Sequence, residues 1–171
     1  SSAGTAAVTT AFINNGSYDN CGINRIIVSP TVVSCTDIGQ STVALIVFDD
    51  AFNIDSDDVV VTIIDTLAPV LTAAANPSIT LNDTGFATVN ASLLLETAID
   101  NCGITSKNTS VREVSCSDLG TLPMMIIAED SSGNVANISI TVSVTDSTPP
   151  SLGMVANTSI SLNEQIKKEQ I

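Results

Sequence analysis

The sequence has no histidine and no tryptophan, and only 3% of its 171 residues are aromatic. Histidine is the most frequent general base in enzymes, so the group that usually transfers protons in acid–base and nucleophilic mechanisms is absent here. No Gly-x-Ser-x-Gly segment and no phosphate-binding glycine-rich loop is present. Adjacent acids occur, as in Asp49-Asp50 and Asp57-Asp58, but neighbours on a strand end point to opposite faces and favour a solvated turn. We therefore expect no enzymatic activity.

Positive charge is also scarce. The chain contains five Lys and Arg residues and 18 Asp and Glu residues, which gives a net charge of −13 at pH 7. A protein that binds nucleic acid or an anionic membrane needs cations to replace the counterions of the phosphates. The composition argues against both partners. An acidic surface instead suits solubility, a high-salt environment or the binding of divalent cations.

The sequence contains no secretion leader and no apolar run of about 18 residues. Its hydrophobic content is nevertheless 44%, made up mainly of Val, Ile, Leu and Ala in short runs. We therefore expect a mature or excised soluble segment that does not insert into a membrane.

The main feature of the sequence is an internal repeat with a period of 81 residues. Asp-Asn-Cys-Gly-Ile begins at Asp19 and again at Asp100, and a second motif with cysteine, Asp and Gly begins at Cys35 and again at Cys116. No gap interrupts the register between the copies. A fixed period of this kind is the signature of a repeat architecture.

The repeat divides the chain into unit one (1–68), unit two (69–149) and a tail (150–171). Unit one starts where unit two has already passed its first strand, and the tail supplies another copy of that strand, with Asn157 to Asn163 echoing Asn76 to Asn82. Two interpretations remain open. The sequence is a window cut from a longer array, or the tail is a donor strand that completes the open unit of another molecule.

The fold class predicted is all-β, a tandem array of immunoglobulin-like sandwiches with one disulfide in each unit. Val, Ile and Thr are abundant, and branched side chains suit a pleated, half-buried surface. Residues 138–145 alternate strictly between apolar and polar, as expected of a half-solvated antiparallel strand. About seven short strands per unit fit a sandwich. The pattern places no helix in either unit.

Four cysteines allow three pairings, and the repeat favours pairing within each unit, Cys21 with Cys35 and Cys102 with Cys116. The alternative is a zinc site, which usually requires shorter Cys-x-x-Cys spacing or added histidine. A disulfide closing so short a loop contributes on the order of 3 kcal/mol in the chain-entropy model. Disulfides indicate an oxidising, extracytoplasmic compartment.

No cofactor is required by the sequence, but its acids suggest calcium. Asp and Asn at turns and strand ends supply the oxygen ligands that calcium prefers. The candidate site contains Asp130, Asn134 and Asp146, with Asp100 as a further ligand. The counterpart in unit one is less well supported because Asp-Ala-Phe-Asn replaces Ser-Ser-Gly-Asn. The alternative is that Asp, Asn and Gly only form tight turns, since no contiguous calcium-loop motif is present.

These motifs, together with the closing Val-x-Val-x-Asp-x-x-x-Pro, resemble HYR (hyalin-repeat-like) modules. The resemblance covers both units and implies immunoglobulin-like repeats of secreted adhesins and surface proteins, notably in Bacteroidota. It also implies O-linked sugars on Thr66 and Ser147. Asn-x-Ser/Thr sequons give N-glycosylation candidates at Asn90, Asn108 and Asn137, although chance produces many sequons in so Asn-, Ser- and Thr-rich a chain.

The function expected is structural: an extracellular stalk, filament or adhesin segment at the cell surface. Its partners would be neighbouring copies of the same repeat or chain, with surface glycans or a host or substratum ligand as adhesion targets. One alternative is a filament subunit joined by donor strands. The other is a non-catalytic glycan-binding module, which is weakened by the presence of a single tyrosine, Tyr18, for stacking on sugar rings.

Overall fold

The computed structural model describes residues 4–154 and residue 159, and over that range the protein is all-β, as predicted. The strands of unit one are β1 (Thr5–Ala7), β2 (Ile23–Ser29), β3 (Val32–Ser34), β4 (Gly39–Asp49) and β5 (Ile54–Ile63). Those of unit two are β6 (Val70–Ala73), β7 (Ser78–Thr80), β8 (Phe86–Thr88), β9 (Leu95–Ile99), β10 (Ile104–Thr109), β11 (Glu113–Ser115), β12 (Gly120–Asp130) and β13 (Val135–Thr145).

Unit two has two layers. One is a four-stranded sheet in the order β10-β12-β13-β7, in which β7 runs parallel to β13 and the other pairs are antiparallel. The other contains the pairs β6–β9 and β8–β11. The apolar cluster between them draws on β11, β12, β13 and the segments beside β8 and β9. The architecture is a small β-sandwich.

The period-two pattern of the long strands explains this core. On β13, Ile140, Val142 and Val144 are buried while the polar residues between them are exposed. On β12, Met124, Ile126 and Ala128 face inward in the same way. Asp130 is the next residue of that inward series and is only 2% exposed. A carboxylate therefore closes the inward face at the end of the central strand.

The strand pairing in unit one matches that in unit two with an offset of 81 residues. Gly39 of β4 lies opposite Ile63 of β5, as Gly120 of β12 lies opposite Val144 of β13. Strands β1 and β3 pair as β8 and β11 do. The described part of unit one contains no counterpart of β6 or β7. Residues 14–18, the counterpart of β9, form no strand, because β9 is held by pairing with β6.

The core of unit one is consequently thinner. Its buried cluster is Val8, Val28, Val33 and Val43, whereas Leu45, Val61, Ile63 and Ile13 are only partly buried. The counterparts of those last four in unit two are all buried, and they are Ile126, Val142, Val144 and Leu94. The missing strands thus leave one side of the unit-one core uncovered.

Two short helices correct the sequence prediction, which placed none. They are α1 (Thr10–Ile13) and α2 (Ala91–Leu94). In α2, the Asn90 side chain accepts a hydrogen bond from the Ser92 N–H at 2.9 Å, and Ala91 and Leu94 are buried. Apolar residues at 87, 89, 91 and 93 alternate as in a single strand, but Asn90 interrupts the strand by capping this turn. The unit boundaries at 68 and 149 stay predictions, and most of the predicted tail lies outside the described residues.

Equivalent core positions in the two units should respond differently to truncation. We expect Ile126→Ala to cost about 3 kcal/mol of unfolding free energy, because Ile126 is fully buried and its removal leaves a cavity. Leu45→Ala removes the same number of carbon atoms from the matching position, yet should cost only about 1 kcal/mol, since solvent already reaches that side chain. Urea unfolding followed by circular dichroism measures both. Equal losses would show that the unit-one core is covered after all.

Candidate functional site: the junction between the units

The cysteine pairing predicted from the sequence is wrong. Cys35 of unit one is bonded to Cys102 of unit two, with Cα atoms 5.4 Å apart and a sequence separation of 67 residues. All four cysteines lie in the described part of the chain, and Cys21 and Cys116 are exposed free thiols. The disulfide therefore joins the units to each other.

Strand length explains why pairing within a unit is impossible. Cys102 lies two residues before β10, whose first residue pairs with Asp130 at the end of β12. Cys116 lies four residues before Gly120, where β12 begins. Ten residue steps of strand span about 33 Å, and a disulfide requires Cα atoms within about 7 Å. The two cysteines of a unit thus lie at opposite ends of the sandwich.

The segment between the units, residues 64–69, is also fixed by side-chain amides of unit two. Asn101 Nδ2 donates to Asp65 Oδ1 at 3.1 Å. Asn134 Nδ2 lies 3.1 Å from the Asp65 carbonyl oxygen and 3.2 Å from that of Leu67. Within the segment, the Leu67 N–H donates to Asp65 Oδ1 at 3.1 Å. We call these contacts, together with the Cys35–Cys102 bond, the junction.

A glycine lets the chains approach closely at the disulfide. The carbonyl oxygens of Gly4 and Asn101 lie 3.4 and 3.3 Å from Cys35 Sγ. Gly4 has a φ of +63°, and a Cβ at this position would lie 2.6 Å from Cys35 Sγ. Any other residue at position 4 would be strained in its backbone and would clash with the bonded sulfur.

Three carboxylates meet beside this segment. Asp65, Asp100 and Asp130 each offer an oxygen within 4.8 Å of the others. Asp100 Oδ1 accepts from the backbone N–H groups of Cys102 and Gly103 at 2.8 and 3.0 Å. The Oδ2 atoms of Asp65 and Asp100 are buried and have no hydrogen-bond partner among the described residues. Buried carboxylate oxygens usually have partners, so this pair calls for an additional cation or water.

Asp130 is held ionised. Burial opposes its charge, but hydrogen bonds from the Asn134 side chain at 2.8 Å and from the backbone N–H groups of Ser132 and Asn134 outweigh that effect and lower the pKa of Asp130. Asp49, its counterpart in unit one, has a lowered pKa for a similar reason, since the Asn53 side chain donates to it at 2.6 Å.

The structure brings together three of the four residues predicted as calcium ligands. Asp100, Asp130 and Asn134 lie at the junction, whereas Asp146 lies beyond the opposite end of β13. Asp65 occupies the place that the sequence assigned to Asp146. The two aspartates are repeat counterparts, and the acid that closes one unit contributes to the site of the following unit.

The predicted unit-one counterpart of this site keeps its turn but not its third acid. Phe52 adopts a φ of 66° where Gly133 has 85°, so the turn between the long strands is conserved in shape. Asp49 and Asn53 are hydrogen-bonded as Asp130 and Asn134 are. The described residues place no aspartate from a preceding unit beside them.

The predicted glycosylation residues are all exposed. Thr66 and Ser147 lie in the segments that follow β5 and β13, and Asn90, Asn108 and Asn137 present exposed side chains just before α2, on β10 and on β13. Asn90 also caps α2 through its side chain. Glycosylation at these positions stays a prediction.

Comparison with known proteins gives little similarity. No family model matches the chain, and no curated protein matches it. Among solved structures, fibronectin(III)-like modules of CbhA from Clostridium thermocellum align over 82% of this chain and 87% of that one, at 11% identity and a TM-score of 0.31. So loose a superposition carries no argument about this protein. Within the described residues, no helix has the length and apolarity to cross a membrane.

Trypsin distinguishes the two cysteine pairings directly. The lysines and arginines at 25, 107, 112, 167 and 168 give peptides 1–25, 26–107 and 113–167. We expect alkylation without reduction to label Cys21 and Cys116, and peptide 26–107 to be two mass units lighter than its reduced form, because it contains both Cys35 and Cys102. Mass spectrometry before and after reduction tests this. Pairing within units would instead link all three peptides into one species.

Proposed function

We propose that this protein is a structural segment of an extracellular stalk, filament or adhesin, in which successive sandwiches are joined at stiff junctions. The observation that carries the proposal is the Cys35–Cys102 disulfide, because it connects the two units rather than closing a loop within either. The HYR-like motifs and the expected cell-surface location support the same function.

The physical effect of the disulfide is to add a second covalent connection. Two domains joined only by the six residues between β5 and β6 would rotate about that segment. A bond from Cys35 to Cys102 closes a loop of 67 residues and contributes about 4 kcal/mol in the chain-entropy model. A second attachment point restricts the rotation that the peptide segment alone would allow.

The amide contacts act in the same direction. Asn101 and Asn134 hold Asp65 and Leu67 against unit two, so the intervening segment has little freedom of its own. Pro69, which is buried, fixes one backbone angle just before β6. A stalk built from such units transmits tension through strands and covalent bonds rather than through a flexible tether. A disulfide of this kind is stable in an oxidising, extracytoplasmic compartment.

We also propose that calcium binds at the junction. Asp65, Asp100 and Asp130 provide three carboxylates, and the carbonyls of the surrounding turns can supply further oxygen ligands. The cation would offset repulsion between the acids and give partners to the buried Oδ2 atoms of Asp65 and Asp100. Because Asp65 precedes unit two while the other acids belong to it, the ion would stiffen the connection.

The stiffness of the junction can be measured with dyes on Cys21 and Cys116, which are free and lie at the outer ends of the two units. We expect single-molecule energy transfer to give a narrow distribution in the native protein. The distribution should broaden in Cys35→Ser/Cys102→Ser, because only the peptide segment and its hydrogen bonds then connect the units. An unchanged width in the double variant would overturn the proposed role of the disulfide.

Calcium should raise the thermal stability of the native protein. At a free concentration about tenfold above Kd, binding stabilises by about 1.4 kcal/mol, which corresponds to a rise in Tm of roughly 3–6 °C. Asp65→Asn should remove most of this rise because it removes one of the three negative charges that attract the ion. Asp146→Asn makes the same change of charge at the repeat counterpart and should retain it. A similar calcium response in both variants, measured by scanning calorimetry, would contradict the site.

A further inference from the structure

The two free thiols are the repeat counterparts of the bonded pair. Cys116 occupies the position of Cys35, and Cys21 occupies the position of Cys102. Cys116 lies at the outer end of unit two and Cys21 at the outer end of unit one. Each therefore corresponds to one half of the junction.

Both thiols already have the local structure of the bonded cysteines. Cys116 begins a 3-10 turn capped by Ser115 and Asp118, and Cys35 begins the same turn capped by Ser34 and Asp37. The capping serines have φ values of −136° and −137°. Cys21 donates its backbone N–H to Asp19 Oδ1 at 2.8 Å, as Cys102 does to Asp100. Little rearrangement is needed for a bond.

Space for a partner is also present. Gly85 is the counterpart of Gly4, has a φ of +80°, and places its carbonyl oxygen 3.7 Å from Cys116 Sγ. A Cβ on Gly85 would lie 2.7 Å from that sulfur and near nothing else. At Gly4 the same space also borders the carbonyl of Asn101. The corresponding group in a partner is the carbonyl of Asn20.

The polar contacts of the junction are duplicated at the two ends. Asp146, the counterpart of Asp65, is exposed and accepts the Thr148 N–H at 2.9 Å, just as Asp65 accepts that of Leu67. Asn20 and Asn53, the counterparts of Asn101 and Asn134, are exposed at the outer end of unit one. The acceptor is thus at one end of the molecule and the donors are at the other.

The apolar surfaces at the two ends of the molecule are also complementary. In the described part of the chain, no strand corresponding to β6 or β7 covers the open side of the unit-one core. Residues 150–163 repeat the sequence of 69–82, and the first of their apolar side chains, Leu152 and Met154, are 90% and 87% exposed. A strand of this sequence can add to an open sheet edge and cover such a core.

We propose that a second copy of this chain docks end to end on the first, with Cys116 of one copy forming a disulfide with Cys21 of the next. The tail of the first copy covers the open side of unit one in the second. The inference extends the proposed stalk function from one internal junction to a covalent filament. In the bond-forming step, the Cys116 and Cys21 thiols together lose two electrons and two protons. A low-molecular-weight disulfide takes up both and is reduced to two small thiols.

The test is oxidation of the purified 171-residue chain with glutathione disulfide. We expect a ladder of dimers, trimers and larger species on non-reducing gels, which collapses to monomer on reduction. Trypsin should release peptide 1–25 linked to peptide 113–167. A monomer under these conditions, or bonds between two Cys116 or two Cys21 side chains, would overturn the proposal.

Two single variants at these exposed thiols provide matched controls. Cys21→Ser and Cys116→Ser should each remain monomeric alone. Mixed together they should form a dimer and nothing larger, since each retains one complementary thiol. Leu152→Asp should slow the native ladder by roughly tenfold or more if the tail covers an apolar face, whereas Leu93→Asp, at an exposed leucine on α2, should not. Equal rates for these two variants would remove the tail from the proposal.

These results are independent of the stiffness measurement. If the native chain forms the ladder but the junction proves flexible, the filament stands and the stiff-stalk function fails. If the junction is stiff and the chain remains monomeric, the stalk function stands and the end-to-end contact between copies fails. The Cys35→Ser/Cys102→Ser variant retains both outer thiols and separates the two outcomes in one molecule.

Discussion

The length of the central strand in each unit determines which groups can meet. Strands β4 and β12 each contain eleven residues, so the two ends of a sandwich are about 33 Å apart. Residues just before this strand, or just after the antiparallel strand that follows it, lie at the exit end of the unit. Residues just before the preceding long strand, β2 or β10, or at the end of the central strand, lie at the entry end. Cys35 and the closing Asp65 therefore belong to the exit end of unit one, while Asp100, Cys102 and Asp130 belong to the entry end of unit two.

Because of this constraint, the bonded cysteines of the repeated motif connect neighbouring units rather than two positions within one unit. A sequence period normally suggests that motif residues contact one another within a copy, and that assumption led to the pairing of Cys21 with Cys35. The structure rejects it because the eleven residues of β12 separate Cys116, which lies before this strand, from Cys102, which lies beside its far end. The acids follow the same rule, since Asp146 and Asp130 lie at opposite ends of β13 and Asp65 replaces Asp146 at the site.

Other features could be predicted because they depend on local pattern. The alternation over β13 identified its buried face, and the composition identified the all-β class. The helix α2 could not be recognised in this way, because its four residues continue an apolar alternation and only the Asn90 cap marks the change. The open core of unit one followed from the missing first strand, but the degree of exposure of Leu45, Val61 and Ile63 required the packed structure.

The negative charge of the molecule explains why the junction needs several stabilising contacts. A chain with a net charge of −13 gains nothing electrostatically by bringing three carboxylates within 4.8 Å, so their approach has to be imposed by other forces. The disulfide, the amides of Asn101 and Asn134 and the backbone N–H groups at Asp100 and Asp130 supply that force. Hydrogen bonds also keep Asp130 ionised by lowering its pKa, although it is the most buried of the three acids. A junction that concentrates negative charge in this way is held together covalently, and a cation bound there would strengthen a connection that the disulfide already secures.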